Sequence, residues 1–216
     1  MPAGQEKISN QQVTGRRGAP AVDECVCVPT AARMRALGTR LAALLRPGDL
    51  VVLSGQLGAG KTTLAQGLGA GLGVRGPVTS PTFVIARLHP SLCGGPDLVH
   101  ADAYRLGSRT EVDDLDLDTD VDTSVTVVEW GEGLVEDLAA SFLEIAIAPV
   151  PASPVPASPG PDGGGDRAAA FGSAGPGEQP EEGDETRTVR VVGWGDRWRQ
   201  AAQATRLALS GTPDSP

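Results

Sequence analysis

The chain has 216 residues, room for one domain plus tails or a long insertion, and 40% of it is hydrophobic, enough for a core. Aromatics make up only 3%, so that core must be built from Val, Leu and Ala; a net charge of −9 argues against tight, direct binding to a nucleic-acid backbone. No run approaches the roughly 20 apolar residues that cross a bilayer, and "MPAGQEKISNQQ" lacks a signal-peptide core, so a cytoplasmic protein without membrane contact is expected.

In chain order, residues 1–20 are polar and aperiodic, and are expected to be a disordered extension. "ECVCVPT" alternates as a strand does, which places Cys25 and Cys27 on one face. Together with Cys93, His89 and His100 they lack the usual zinc-ligand spacings, so reduced thiols are expected. In "TAARMRALGTRLAALLRPGD", Thr30 is a helix N-cap and Met34, Leu37, Leu41, Leu44 and Leu45 recur at helical spacing. Pro47 and Gly48 are expected to stop that helix. "DLVVLSG" is a continuous apolar run, as in a strand buried on both faces, and "KTTLAQGLGAGLG" turns helical again.

"SPTFVIARL", "LVHADAY", "SVTVVEW" and "SFLEIAIA" read as further strands. The acidic segment from Glu111 to Asp122 reads as a solvated helix or loop without catalytic work. Eight of the 18 prolines fall between Pro149 and Pro180, so residues 149–186 are expected to be a disordered insertion. "RTVRVVGW" resumes the strand pattern, residues 187–208 complete the domain begun at 21–148 with a helix, and 209–216 form a tail. Strands alternating with helices predict an α/β fold of three layers around a mainly parallel sheet. "SFLEIAIA" and "RTVRVVGW" are expected to add antiparallel edge strands, as a hairpin whose tip the insertion expands.

The stretch Gly55-Gln-Leu-Gly58-Ala59-Gly60-Lys61-Thr62 matches G-x-x-x-x-G-K-[ST], with a buried strand before it and a helix after it. The glycines let successive N–H groups turn toward phosphate oxygens, and the helix N-terminus adds its dipole. Lys61 is one of only two lysines, in a chain that otherwise relies on arginine. A compact ammonium can follow the outer phosphates of a nucleotide where a planar guanidinium fits badly. Thr62 supplies the hydroxyl expected on Mg²⁺, and Thr63 can donate to a neighbouring phosphate.

A parallel sheet collects its ligands at the carboxyl ends of its strands. Asp102 lies late in "LVHADAY" and Glu129 ends "SVTVVE", so both carboxylates are expected near that loop. Glu129 can hold Mg²⁺ directly or through water. Asp102 can orient or activate the attacking water, or join the metal's outer shell. The Asn-Lys-x-Asp signature of Ras-like GTPases is absent, since the chain's single asparagine is Asn10. A small-molecule kinase also opens on such a loop, but the Pro/Gly-rich insertion makes a poor lid. A P-loop protein that binds nucleotide without turnover, as a gated binding partner, is a third reading.

Four segments in order, "LSGQLGAGKTT", "SPTF", "HADAYR" and "VVEW", resemble the TsaE-type (YjeE-type) ATPase family. The likeness covers roughly Val28 to Ala148 and resumes at Arg187. It implies a protein that binds ATP and Mg²⁺ and hydrolyses ATP slowly. It also implies partners, the TsaD and TsaB proteins that place threonylcarbamoyl on tRNA adenosine, with tRNA itself contacted only indirectly. Carried over by motif, Gly58 to Thr63 would hold the phosphates, Thr62 and Glu129 the metal, and Asp102 would assist hydrolysis. Thr82 of "SPTF" would sense the γ-phosphate, Trp130 would report nucleotide binding, and Arg187 would lie near the nucleotide. The chain departs from the family in its N-terminal extension, its insertion, Gly131 after Glu-Trp, and Ala31 in the first helix.

Overall fold

The computed structural model describes residues 18–81, 86–104, 123–150 and 186–211. Its elements, in order, are β1 (Val22–Val28), α1 (Ala31–Ala42), β2 (Leu50–Gly55), α2 (Lys61–Leu72), β3 (Ala86–His89) and β4 (Asp97–Asp102). They continue with β5 (Ser124–Glu129), a 3-10 turn (Glu136–Leu138), β6 (Phe142–Pro149), β7 (Arg187–Trp194) and α3 (Asp196–Ser210). Seven strands form one sheet in the order β1-β7-β6-β2-β5-β4-β3. The four central strands, β6, β2, β5 and β4, run parallel. β7 and β1 extend one end antiparallel, and β3 does the same at the other. The predicted α/β fold with a parallel centre and antiparallel edges is therefore the observed one.

Alternation sorts the strand residues between two apolar layers. Val51, Leu53, Val127 and Ile145 face Met34, Leu37, Leu64, Leu68 and Trp198 from the three α-helices. Leu50, Val52, Val99, Val128 and Phe142 point the other way, where Val135, Leu134 and Leu138 cover them. Among the described residues, the second outer layer is thus the turn after β5. No described helix is long and apolar enough to cross a membrane.

Thr30 caps α1 as its sequence suggests, its side chain accepting from the Arg33 N–H at 3.2 Å. The helix ends at Ala42, before Pro47. Leu44 and Leu45 donate to Leu41 and Ala42 in a tightened turn, because Pro47 has no N–H for the Ala43 carbonyl and its ring crowds that oxygen. The buried Asp49 then fixes the exit, accepting from the Arg46 N–H at 2.9 Å and from Arg197 at 2.9 Å.

α1 and α2 touch backbone to backbone. A Cβ on Gly67 would lie 2.1 Å from the Arg35 carbonyl oxygen, and one on Gly38 would lie 2.5 Å from that of Leu64. The Thr39 hydroxyl bridges the seam, 3.2 Å from the Gly67 carbonyl. This contact seats the start of α2 firmly over the sheet.

β6 and β7 pair as the expected hairpin, from Phe142 opposite Trp194 to Pro149 opposite Arg187, but they are not the expected edge strands: β6 runs parallel beside β2 and β1 covers β7, so β1 forms that edge. The ladder reaches Pro149, inside the predicted insertion, and Val150 donates to Thr186 at 3.1 Å beyond it. α3 likewise runs to Ser210, past the expected boundary at 208. Residues 1–17, Thr82 and Phe83 of "SPTF", Arg105, the acidic segment, residues 151–185 and the tail from 212 lie outside the described residues.

Candidate functional site

Parallel pairing decides which side chains meet. Glu129 is the rung partner of both Leu53 on β2 and Asp102 on β4, so three strands end together. The Trp130 N–H donates to the Leu53 carbonyl and the Ala103 N–H to that of Glu129, tying those ends. Chain leaving β2 must turn back at once into α2. Gly55 begins the turn at φ 139°, where a Cβ would meet the Ile147 carbonyl oxygen at 2.3 Å. Gly58 and Gly60 continue it at φ 77° and 107°, conformations that glycine alone adopts without strain. Ala59 is buried between them and donates to the Gln56 carbonyl at 3.1 Å.

A cleft of about 330 Å³ opens over this junction. Its walls include Gly58, Gly60, Lys61, Thr62, Thr63, Ser80, Asp102, Tyr104, Glu129 and Trp130. A smaller cavity of about 80 Å³ adjoins it, between the first turns of α1 and α2. Thr30, Ala31, Met34, Ala59, Thr63 and Arg187 line that one. Of the residues expected at the site, Gly55 stands at the loop's base and Thr82 lies outside the described residues. All the others come together here.

The Lys61 ammonium is buried and donates to the Gly55 and Gln56 carbonyls at 2.8 and 3.0 Å. It also lies 3.8 Å from the centre of the Trp130 ring, a cation–π contact. Burial pushes its pKa below the usual lysine value, while the Glu129 and Asp102 carboxylates pull it back up. Trp130 reaches it only because its backbone sits at φ 61°, unique among non-glycine described residues. Such a conformation costs on the order of 1–3 kcal/mol and persists where its surroundings impose it. Tyr104 packs on Trp130 with ring centres 5.1 Å apart.

Thr62 donates its hydroxyl to Glu129, 2.9 Å from Oε1 and 3.2 Å from Oε2. Asp102 accepts from the Tyr104 N–H at 2.9 Å, which fixes its carboxylate against the cleft wall. A hydroxyl and two carboxylates in one cleft are hard oxygen donors of the kind Mg²⁺ takes. The donor set therefore fits that ion.

Sequence reasoning missed two participants. Tyr104 enters the sequence reading only within "HADAYR", and His100 only there and in the rejected zinc set, although it precedes Asp102 by two residues and so shares its face. That spacing was the available signal, and it places His100 Nε2 3.0 Å from Glu129 Oε1.

Fold and cleft together define an α/β protein of the strand–glycine loop–helix class, with lysine and threonine entering the helix and strand-end carboxylates opposite. The family model for threonylcarbamoyl adenosine biosynthesis protein TsaE matches residues 28–152, and the chain belongs to the TsaE family. It is 54% identical over 169 residues to the tRNA threonylcarbamoyladenosine biosynthesis protein TsaE of Streptomyces coelicolor, covering 78% of this chain and 95% of that one. Against the protein of the same name from Bacillus subtilis, identity is 40% over 114 residues, 52% of this chain and 70% of the relative. The fold is similar to the crystal structure of Bacillus subtilus YdiB, at TM-score 0.57 and 24% identity, over 85% of this chain and 94% of that one.

Proposed function

We propose that this chain binds ATP with Mg²⁺ in the cleft above β2, β4 and β5, and hydrolyses it slowly. We place that activity in the formation of threonylcarbamoyladenosine in tRNA, with the complex of TsaD and TsaB proteins as the partner acted upon. The observation that carries the reading is the Thr62–Glu129 hydrogen bond beside the buried Lys61, at the mouth of a glycine loop. The names of the relatives point to the pathway. A net charge of −9 agrees with a link to tRNA made through proteins in the cytoplasm.

Each residue then has a part. The first turn of α2 offers N–H groups that no earlier helical carbonyl can take, and these suit phosphate oxygens. Lys61 shifts its ammonium from the loop carbonyls to the outer phosphates, where it offsets the charge that develops on the transferred group. Thr62 and Glu129 would hold Mg²⁺, which would supply positive charge to the phosphate oxygens. Asp102 orients water for attack and takes its proton, while Trp130 and Tyr104 keep bulk water from the lysine. Arg187 lines the adjoining cavity, where the rest of the nucleotide would extend.

Phosphate release from labelled ATP, measured with and without the partner complex, tests this reading. Turnover stimulated by the partners is expected. Label transferred to a small metabolite would instead mean a kinase, and binding without turnover in the presence of partners a nucleotide-gated binding protein.

A further inference from the structure

His100 has no part in the reading above, yet it touches the floor of the cleft. Its side chain is fully buried, with Nε2 3.0 Å from Glu129 Oε1. The same oxygen receives the Thr62 hydroxyl at 2.9 Å. A ring nitrogen and a hydroxyl therefore converge on one carboxylate. Nδ1 of His100 is buried and has no hydrogen-bond partner among the described residues. A hydrogen on Nδ1 alone would leave a buried donor unpaired and set the Nε2 lone pair against a carboxylate oxygen. The tautomer with its hydrogen on Nε2 avoids both costs, so His100 is the donor and Glu129 the acceptor.

The strand geometry accounts for the reach. His100 pairs in register with Val127, one same-face step before the Asp102–Glu129 rung. It thus meets Glu129 along the diagonal, from beneath the cleft. A glutamate side chain has three rotatable bonds, and a buried carboxylate without donors is expensive. Donors on two sides leave it one arrangement.

We infer that His100 is a positioning residue: its Nε2–H holds the Glu129 carboxylate in the orientation that Thr62 and a Mg²⁺ ion share. The inference rests on the proposed Mg²⁺-dependent ATP binding and adds a residue to that site. Partners behind a metal ligand typically change metal affinity by about 10–100-fold when removed.

Two variants of the full-length protein separate positioning from core filling. His100→Leu fills the space without a donor, whereas His100→Gln keeps an N–H at similar reach. Mg²⁺ is titrated at fixed ATP and read by tryptophan fluorescence, and ATP is titrated separately in EDTA. His100→Leu should raise the half-saturating Mg²⁺ by about tenfold or more, leave metal-free ATP binding unchanged, and be largely rescued by His100→Gln. Wild-type Mg²⁺ dependence in His100→Leu would overturn the inference, as would a His100→Gln no better than the leucine variant. If the leucine variant does not fold, His100→Asn replaces it, because its amide is too short to reach Oε1. Impairment of the asparagine variant relative to glutamine supports positioning, and equality of the two overturns it.

If the wild type itself shows no Mg²⁺ effect, the ATPase reading fails, and the ligand-free protein decides on His100. The chain has only two histidines, so ¹⁵N spectra of the imidazoles are readily assigned. A ring protonated at Nε2 whose signal moves in Glu129→Ala supports the pairing. A ring protonated only at Nδ1 refutes it.

Discussion

Replacing Gly67 by alanine should destabilise the protein, although helix propensity alone predicts the reverse. Alanine in a helix interior is favoured over glycine by about 1 kcal/mol. At Gly67, however, the new Cβ would stand 2.1 Å from the Arg35 carbonyl oxygen and 2.9 Å from its Cα. Both atoms are backbone, so no side-chain rotation relieves the overlap. The helices must part by more than an ångström, and the neighbouring Gly38 contact, 2.5 Å from the Leu64 carbonyl oxygen for its own Cβ, goes with them. Overpacking of this kind costs about 1–3 kcal/mol, with rigid backbone partners at the upper end. After the propensity gain, roughly 2 kcal/mol of destabilisation remains. A domain of this size should then melt about 4–8 °C lower. Thermal unfolding followed by circular dichroism measures it. A midpoint equal to or above wild type would refute the argument that α1 and α2 meet through backbone.

Burial, then the nearby His100 and Arg87, hold the pKa of His89 below its ordinary 6.5, a hydrogen bond to the Arg75 carbonyl partly opposing them. The unfolded chain therefore takes up the proton first as pH falls, so this contribution is complete above about pH 6.5 and is lost as pH drops through the folded value. Chemical denaturation between pH 7 and 5 should show that decline, and His89→Leu should flatten it. Arg197 donates to Asp49 and to the Leu44 carbonyl, with side-chain exposures of 18% and 6% for the ion pair. Arg197→Ala leaves the buried carboxylate without its charged partner, the Arg46 N–H alone remaining, and should cost about 3 kcal/mol, with Asp49→Asn recovering part of it in the double variant; equal midpoints for wild type and the single variant would exclude a structural role. Lys61→Ala should abolish the ATP-induced change in tryptophan fluorescence, since the ammonium lies against Trp130. Asp102→Ala should retain ATP binding by that signal while phosphate release falls about a hundredfold or more.

Elements governed by local chemistry were legible in the sequence. β2 announces itself as a continuous apolar run, β5 as a valine-rich strand, Thr30 as a cap, and β6 and β7 as a hairpin despite the long separation. The carboxylates at the ends of β4 and β5 followed from one rule about parallel sheets. Contacts that depend on how elements pack were harder to read. Gly38 and Gly67 look like weak points in two helices, and only their apposition reveals a seam. The left-handed turn at Trp130 follows from the exit of β5, and tryptophan ordinarily argues against it. α1 ended early because a proline and a buried aspartate act together. The two-residue period of β4 puts His100 on the face of Asp102, yet only the pairing of β4 with β5 shows that it reaches Glu129.

Asp102 and Glu129 share a rung of adjacent parallel strands, and neighbouring strands lie about 4.8 Å apart. Carboxylates brought together at neighbouring strand ends repel one another, and the Lys61 ammonium in the same cleft attracts both. The fold thus carries a standing electrostatic load at its own carboxyl edge, one that a bound cation would relieve. Occupancy and folding are then thermodynamically linked. At a ligand concentration one hundred times its dissociation constant, binding to the native state alone adds about 2.7 kcal/mol. Under the proposed ATP and Mg²⁺ binding, a fall in either would remove that increment of stability along with the turnover, which ties abundance to the energy supply.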